Sequence, residues 1–137
     1  MSWDIFVQDI PPNIRTVADI PDTFQPRPLC ERAELIRHIK EFAPAVDFAD
    51  PSWGALEAPT FSVEFNLGDQ EVVQSFALHV RGADVAAGFV AELLTHLGFR
   101  AFDPQSESGL FEAGKVAEAS LRRWREYRNR VIPPHAV

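Results

Sequence analysis

Four polar side chains fall where paired strands would gather them: Ser62 and Glu64 in the stretch 61–66, and His79 and Arg81 in the stretch 74–81. In the first stretch Phe61, Val63 and Phe65 alternate with Ser62, Glu64 and Asn66; in the second Phe76, Leu78 and Val80 alternate with Ser75, Ala77, His79 and Arg81. Residues that pair across antiparallel strands share a face, so aromatics and aliphatics turned to a core put Ser62, Glu64 and Asn66 with Ser75, His79 and Arg81 on the other side. The register decides whether His79 meets Ser62 or Glu64 directly or on the diagonal. A Glu-His-Arg group of this kind can bind an anion or position a general base. A Ser75–His79 nucleophilic pair is excluded, because four residues along one strand span about 13 Å. The plain alternative is a polar sheet face that is solvated or covered by a helix.

The second candidate is the segment 47–54, Asp-Phe-Ala-Asp-Pro-Ser-Trp-Gly, in which Asp47 and Asp50 accompany Phe48 and Trp53. Aromatic groups ringed by charge make protein-binding hot spots. They also serve as loop anchors, with Trp53 tucked into the core.

The rest of the chain offers less chemistry. The turn Arg81-Gly82-Ala83-Asp84 could aim backbone N–H groups at an anion, but Asp84 opposes this and reads as a helix N-cap. His38, His79, His96 and His135 never stand at paired-ligand spacing and Cys30 is the lone cysteine, so no structural metal or cofactor is expected. Asp47 with Asp50, or Asp69 with Glu71, offers oxygen ligands without the spacing of a calcium loop. Cys30 lies near a helix start, which favours a thiolate, while Glu31 and Glu34 oppose it.

Behind these residues the patterns predict a strand over Trp3–Gln8, where Phe6 spoils an otherwise polar side, and then a surface loop made irregular by Pro11, Pro12, Pro21, Pro26 and Pro28. A helix is expected from about Cys30 to Phe42, a punctuated loop to Pro59, the two strands above, and a helix from Asp84 to Leu97 closed by Gly98. That helix would turn Val85, Phe89, Val90, Leu93, Leu94 and Leu97 inward. A short strand follows at 99–102. A last amphipathic helix spans about 113–131, with Val116, Ser120, Leu121, Trp124, Tyr127 and Val131 on one side and Pro133 and Pro134 ending it, so residues 132–137 read as a frayed tail. The order β-α-β-β-α-β plus a C-terminal helix is an α+β, ferredoxin-like split βαβ arrangement with an antiparallel sheet. Its first and third strands should lie side by side with both crossover helices on one face, leaving the other face open or covered by the last helix.

With 137 residues, one domain with one core is expected over 1–137. Hydrophobic residues make up 46% of the chain, and eleven Phe and three Trp make the core aromatic-rich. No stretch has the length of a membrane span or the form of a secretory signal, and a single cysteine fits a reducing compartment, so the cytoplasm is the expected location. The net charge of −7 argues against nucleic acid as a partner. It is unevenly spread: Lys115, Arg122, Arg123, Arg125, Arg128 and Arg130 against Glu118 and Glu126 leave +4 on residues 115–137 and −11 on the remainder. The basic helix is expected to pair with its own acidic body.

The segments Ser-Trp-Asp-Ile-Phe-Val-Gln at 2–8, Pro-Asp-Thr-Phe-Gln-Pro at 21–26, Asp-Pro-Ser-Trp-Gly at 50–54, 61–68 and 75–82 resemble a group of small acidic bacterial proteins of uncharacterised function. That resemblance implies no activity and no site. In size, acidity and aromatic loops the chain is also similar, in general character, to bacterial immunity proteins that neutralise toxins. Lacking a catalytic set, the sequence points away from an enzyme and toward a protein-binding module, an immunity or accessory factor with a basic partner. The alternative is a small enzyme or ligand-binding domain that uses Ser62, Glu64, His79 and Arg81 on the open face. A homodimer packed sheet to sheet is the third expectation.

Overall fold

A computed structural model describes residues 2–131 of the chain; the expected frayed tail, with Pro133 and Pro134, and the Val131 side chain lie outside what is described. Its elements in chain order are β1 (Trp3–Gln8), a single 3-10 turn (Val17–Asp19), β2 (Cys30–Glu31), α1 (Arg32–Phe42), β3 (Asp47–Asp50), β4 (Trp53–Glu57), β5 (Phe61–Asn66), β6 (Val72–Val73), β7 (Ser75–Gly82), α2 (Val85–Leu97), β8 (Arg100–Phe102) and α3 (Lys115–Val131). Six strands form one antiparallel sheet in the order β3-β4-β5-β7-β1-β8, and β2 and β6 form a small second one. The chain is thus α+β, with three helices on an antiparallel sheet.

Alternation does what it promised in the central strands. Trp3, Ile5 and Val7 of β1, Val63 and Phe65 of β5, and Phe76, Leu78 and Val80 of β7 are buried in one cluster with Leu35 and Ile39 of α1, Val90 and Leu93 of α2, and Ala117, Leu121 and Trp124 of α3. All three α-helices therefore contribute to the core on the same side of the sheet, and no described α-helix packs on the other side. Gly98 closes α2 at φ 75°, a left-handed position that glycine occupies without strain. No helix among the described residues is long and apolar enough to cross a membrane.

Several expectations are corrected. The segment 47–57 is a strand pair rather than a loop: Pro51 and Ser52 join β3 to β4, and the Asp50 carboxylate accepts hydrogen bonds from the Ser52 amide (2.9 Å) and hydroxyl (2.7 Å), closing the turn. Proline, which breaks a strand interior, here occupies the second position of a tight turn, where its fixed φ is useful. The start of α1 moves from Cys30 to Arg32, because Cys30 and Glu31 pair with Val73 and Val72. Val85 is exposed rather than inward, and the buried side of α2 includes Ala86 and Ala87. On α3 the buried stripe is Ala117, Ser120, Leu121 and Trp124, while Val116 and Tyr127 are exposed. That stripe advances by steps of three and four residues along one side of α3, which leaves the positions on either flank in solvent. Asp84 occupies the N-cap position of α2 but makes no capping bond; its carboxylate pairs with Arg125 of α3, joining the basic helix to the acidic body.

Candidate functional site

The open side of the sheet is built in rows. Where strands pair, opposite residues point the same way, so the register reads as a map of the face. One row runs Asp50, Trp53, Asn66, Ala77, Phe6 and Phe102; the next runs Asp47, Ala55, Glu64, His79 and Asp4; a third holds Glu57, Ser62 and Arg81. Seven of the eight residues expected in two separate sites, Ser62, Glu64, His79, Arg81, Asp47, Asp50 and Trp53, therefore share one surface. The eighth, Phe48, turns inward: its ring lies 6.0 Å from that of Phe65 and fills the space beside Gly54, where a Cβ would come within 2.5 Å of the ring. A β-bulge between Asp47 and Asp50 brings both aspartates outward on either side of it.

The centre of this face is a connected network. His79 lies opposite Glu64 on one side and Asp4 on the other. Since a carboxylate only accepts, Nδ1–H of His79 donates to Asp4 Oδ1 at 2.7 Å, and the Ser2 hydroxyl donates to the same oxygen. The Trp53 indole stacks on the His79 ring, with centroids 5.6 Å apart and planes 20° apart, while its Nε1–H donates to Glu64 Oε2 at 3.0 Å. Arg81 donates to the other Glu64 oxygen at 2.5 Å. Alternation within β5 and β7 is enough to group Glu64, His79 and Arg81, whereas Asp4 reaches His79 only because β1 lies beside β7.

Chemically, this network holds side chains in place. Asp4 fixes the imidazole as an orienting carboxylate does in acid–base catalysis. However, both Glu64 oxygens are engaged, Ser62 stands opposite Arg81 rather than His79, and the Ser2 hydroxyl is spent on the Asp4 oxygen that His79 also uses. A hollow of about 410 Å³ lies on the same face, lined by Phe6, Gln8, Asn66, Ser75 and Ala77 and not by His79. Among the described residues no group of three or more His, Cys, Asp or Glu is placed to hold a metal ion. The chain matches no protein-family model, no curated protein and no solved structure. The face has to be read from its own chemistry.

Two features stand out. Trp53, at the start of β4, and Phe6, within β1, are exposed at 39% and 41%, unusual for large aromatics in strands. Set three strands apart, they stand about 14 Å from each other across Asn66 and Ala77. The strands also carry five outward carboxylates, Asp4, Asp47, Asp50, Glu57 and Glu64, against Arg81 and an edge Arg100 whose guanidinium donates to the carbonyls of Pro11 and Ile14. The Ser52 hydroxyl and then its amide hold the Asp50 carboxyl below its ordinary range, with Arg32 adding to this, so Asp50 stays ionised at neutral pH. Away from this face, Cys30 is half-buried, and burial, then Glu34 and Glu31, raise its thiol above the ordinary range, which opposes a reactive thiolate.

Proposed function

We propose that this chain is a non-enzymatic protein-binding module whose contact surface is the open face of its sheet, centred on Trp53 and Phe6. The observation that carries the reading is an exposed indole held rigid by two contacts, the His79 ring beneath it and the Glu64 carboxylate at its N–H, on a face no described helix covers. An aromatic group already fixed in the free protein loses little freedom on binding, which is what makes Trp an effective hot spot. The strand order β5-β7-β1-β8 supports a ferredoxin-like split βαβ core, with β3 and β4 extending its β5 edge and widening the surface. An immunity or accessory role is the kind of work such a surface suits.

The test is retention of proteins from an extract of the native host on the immobilised full chain. A partner held by the wild type and by Val85→Ser, which alters an exposed apolar group on the helical side, but lost from the Trp53→Ser/Phe6→Ser double variant, supports the reading. A partner lost with Val85→Ser and kept by the double variant overturns it, as does the absence of any partner at low salt.

A second reading, a small enzyme or ligand-binding site around Glu64, His79 and Arg81, draws on the Asp4–His79 pair. Occupation of both Glu64 oxygens, and commitment of the Ser2 hydroxyl to Asp4, weigh against it.

A further inference from the structure

The charge of the open face says what kind of partner it takes. Resting on the reading of that face as a contact surface, we propose that its occupant is an arginine-bearing basic segment of another protein, with a guanidinium laid on the Trp53 indole among the surrounding carboxylates.

Trp53 is the single exposed indole among the three tryptophans, Trp3 being 0% and Trp124 3% exposed. Asp50 is its direct neighbour in β3, Asp47 lies in the adjoining row, and Glu64 accepts its N–H. Indole is the strongest cation–π acceptor among side chains, and arginine adds planar stacking and donors that match carboxylates. At the sheet edge, the Asp47 carboxylate accepts from the Ala49 amide within β3 and that of Asp50 from the Ser52 amide in the turn, and their remaining lone pairs are open to a donor from outside.

The same charges exclude a second copy packed sheet to sheet and polyanionic surfaces. A second copy packed face to face would set the five carboxylates of one molecule against those of the other, with only Arg81 and the engaged Arg100 to offset them. Phosphate backbones and anionic bilayer surfaces meet the same repulsion, whereas a basic segment is attracted before contact and held after it.

Calorimetric titration of the full chain with an oligo-arginine peptide, and separately with oligo-glutamate, tests the idea, with Trp emission recorded in parallel because Trp53 is the indole a ligand can reach. Saturable binding of oligo-arginine alone is expected. Trp53→Ala should weaken it about tenfold, within the range of a cation–π contact, and so should the Asp47→Asn/Asp50→Asn pair, which keeps an acceptor oxygen at each position. Glu34→Gln/Glu92→Gln removes equal charge from exposed positions on the helices and should change affinity less than about twofold. Equal weakening by the two pairs would reduce the effect to net charge and overturn the proposal, as would unaltered binding by Trp53→Ala with its fold intact by circular dichroism. A native partner captured through the sheet face by an acidic or neutral segment would overturn this inference while leaving the contact-surface reading in place.

Discussion

Replacing Trp53 with alanine should cost the fold little, and how little can be worked out. At 39% exposure, about 120 Å² of a side chain that can bury about 200 Å² is covered, or about 3 kcal/mol at 25 cal/mol per Å². Alanine still covers part of the strand beneath, and the unfolded chain has already buried some of that area, so about 2 kcal/mol is expected. The hydrogen bond to Glu64 adds little, since water can take the place of the indole N–H at a part-exposed carboxylate. Truncating a wholly buried Trp costs about 3–5 kcal/mol, so the value separates a surface indole from a core one. The more searching experiment is a double-mutant cycle with His79→Ala, read by urea denaturation. Rings 5.6 Å apart and nearly parallel should couple by about 0.5–1.5 kcal/mol. Coupling below about 0.3 kcal/mol, the scatter expected of independent sites, would refute the claim that His79 holds the indole in place.

Other consequences follow from particular contacts. Gly54→Ala should destabilise by about 1–3 kcal/mol, because its Cβ meets the Phe48 ring, and Phe48→Leu in the same chain should recover part of that loss in thermal unfolding. Ser52→Ala should raise the Asp50 pKa toward the ordinary carboxyl range, measured by NMR titration. In the wild type a depressed pKa means that Asp50 stabilises the hairpin above the ordinary carboxyl pKa, and that this contribution is lost as pH falls through the depressed value. For Cys30 the sign is opposite: its raised pKa makes alkylation slower than that of a free thiol at neutral pH, and its contribution to stability is present below the ordinary thiol pKa and fades as pH rises through the raised one.

Much of this architecture is legible in the sequence, and the parts that are not share a cause. Alternation in 61–66 and 75–82 fixes two faces because a one-residue slip would bury Glu64 and His79, so the parity of the hairpin could be read before its register. The β3–β4 pair could not: Pro51, Trp53 and Gly54 look like loop punctuation, and the bulge between Asp47 and Asp50 breaks the alternation that marks a strand. Without that pair, Trp53 belongs to a loop and the two candidate sites look unrelated. Asp4 was hidden for a different reason, since nothing local to 2–8 says that its carboxylate faces His79, 75 residues away. On α3 the pattern located the helix but overestimated its buried width, because Tyr127 satisfies the helical period and yet lies beyond the narrow strip that Ala117 and Leu121 press onto the core.

The most direct test of the central claim replaces Ala77, which lies between Trp53 and Phe6 in the same row, with a photo-reactive amino acid in the native host, and does the same at Glu92 on α2. Illumination should give one discrete adduct from position 77, to a basic protein, and none from position 92. An adduct from position 92 with nothing from position 77 would place the working surface on the helices and contradict the account.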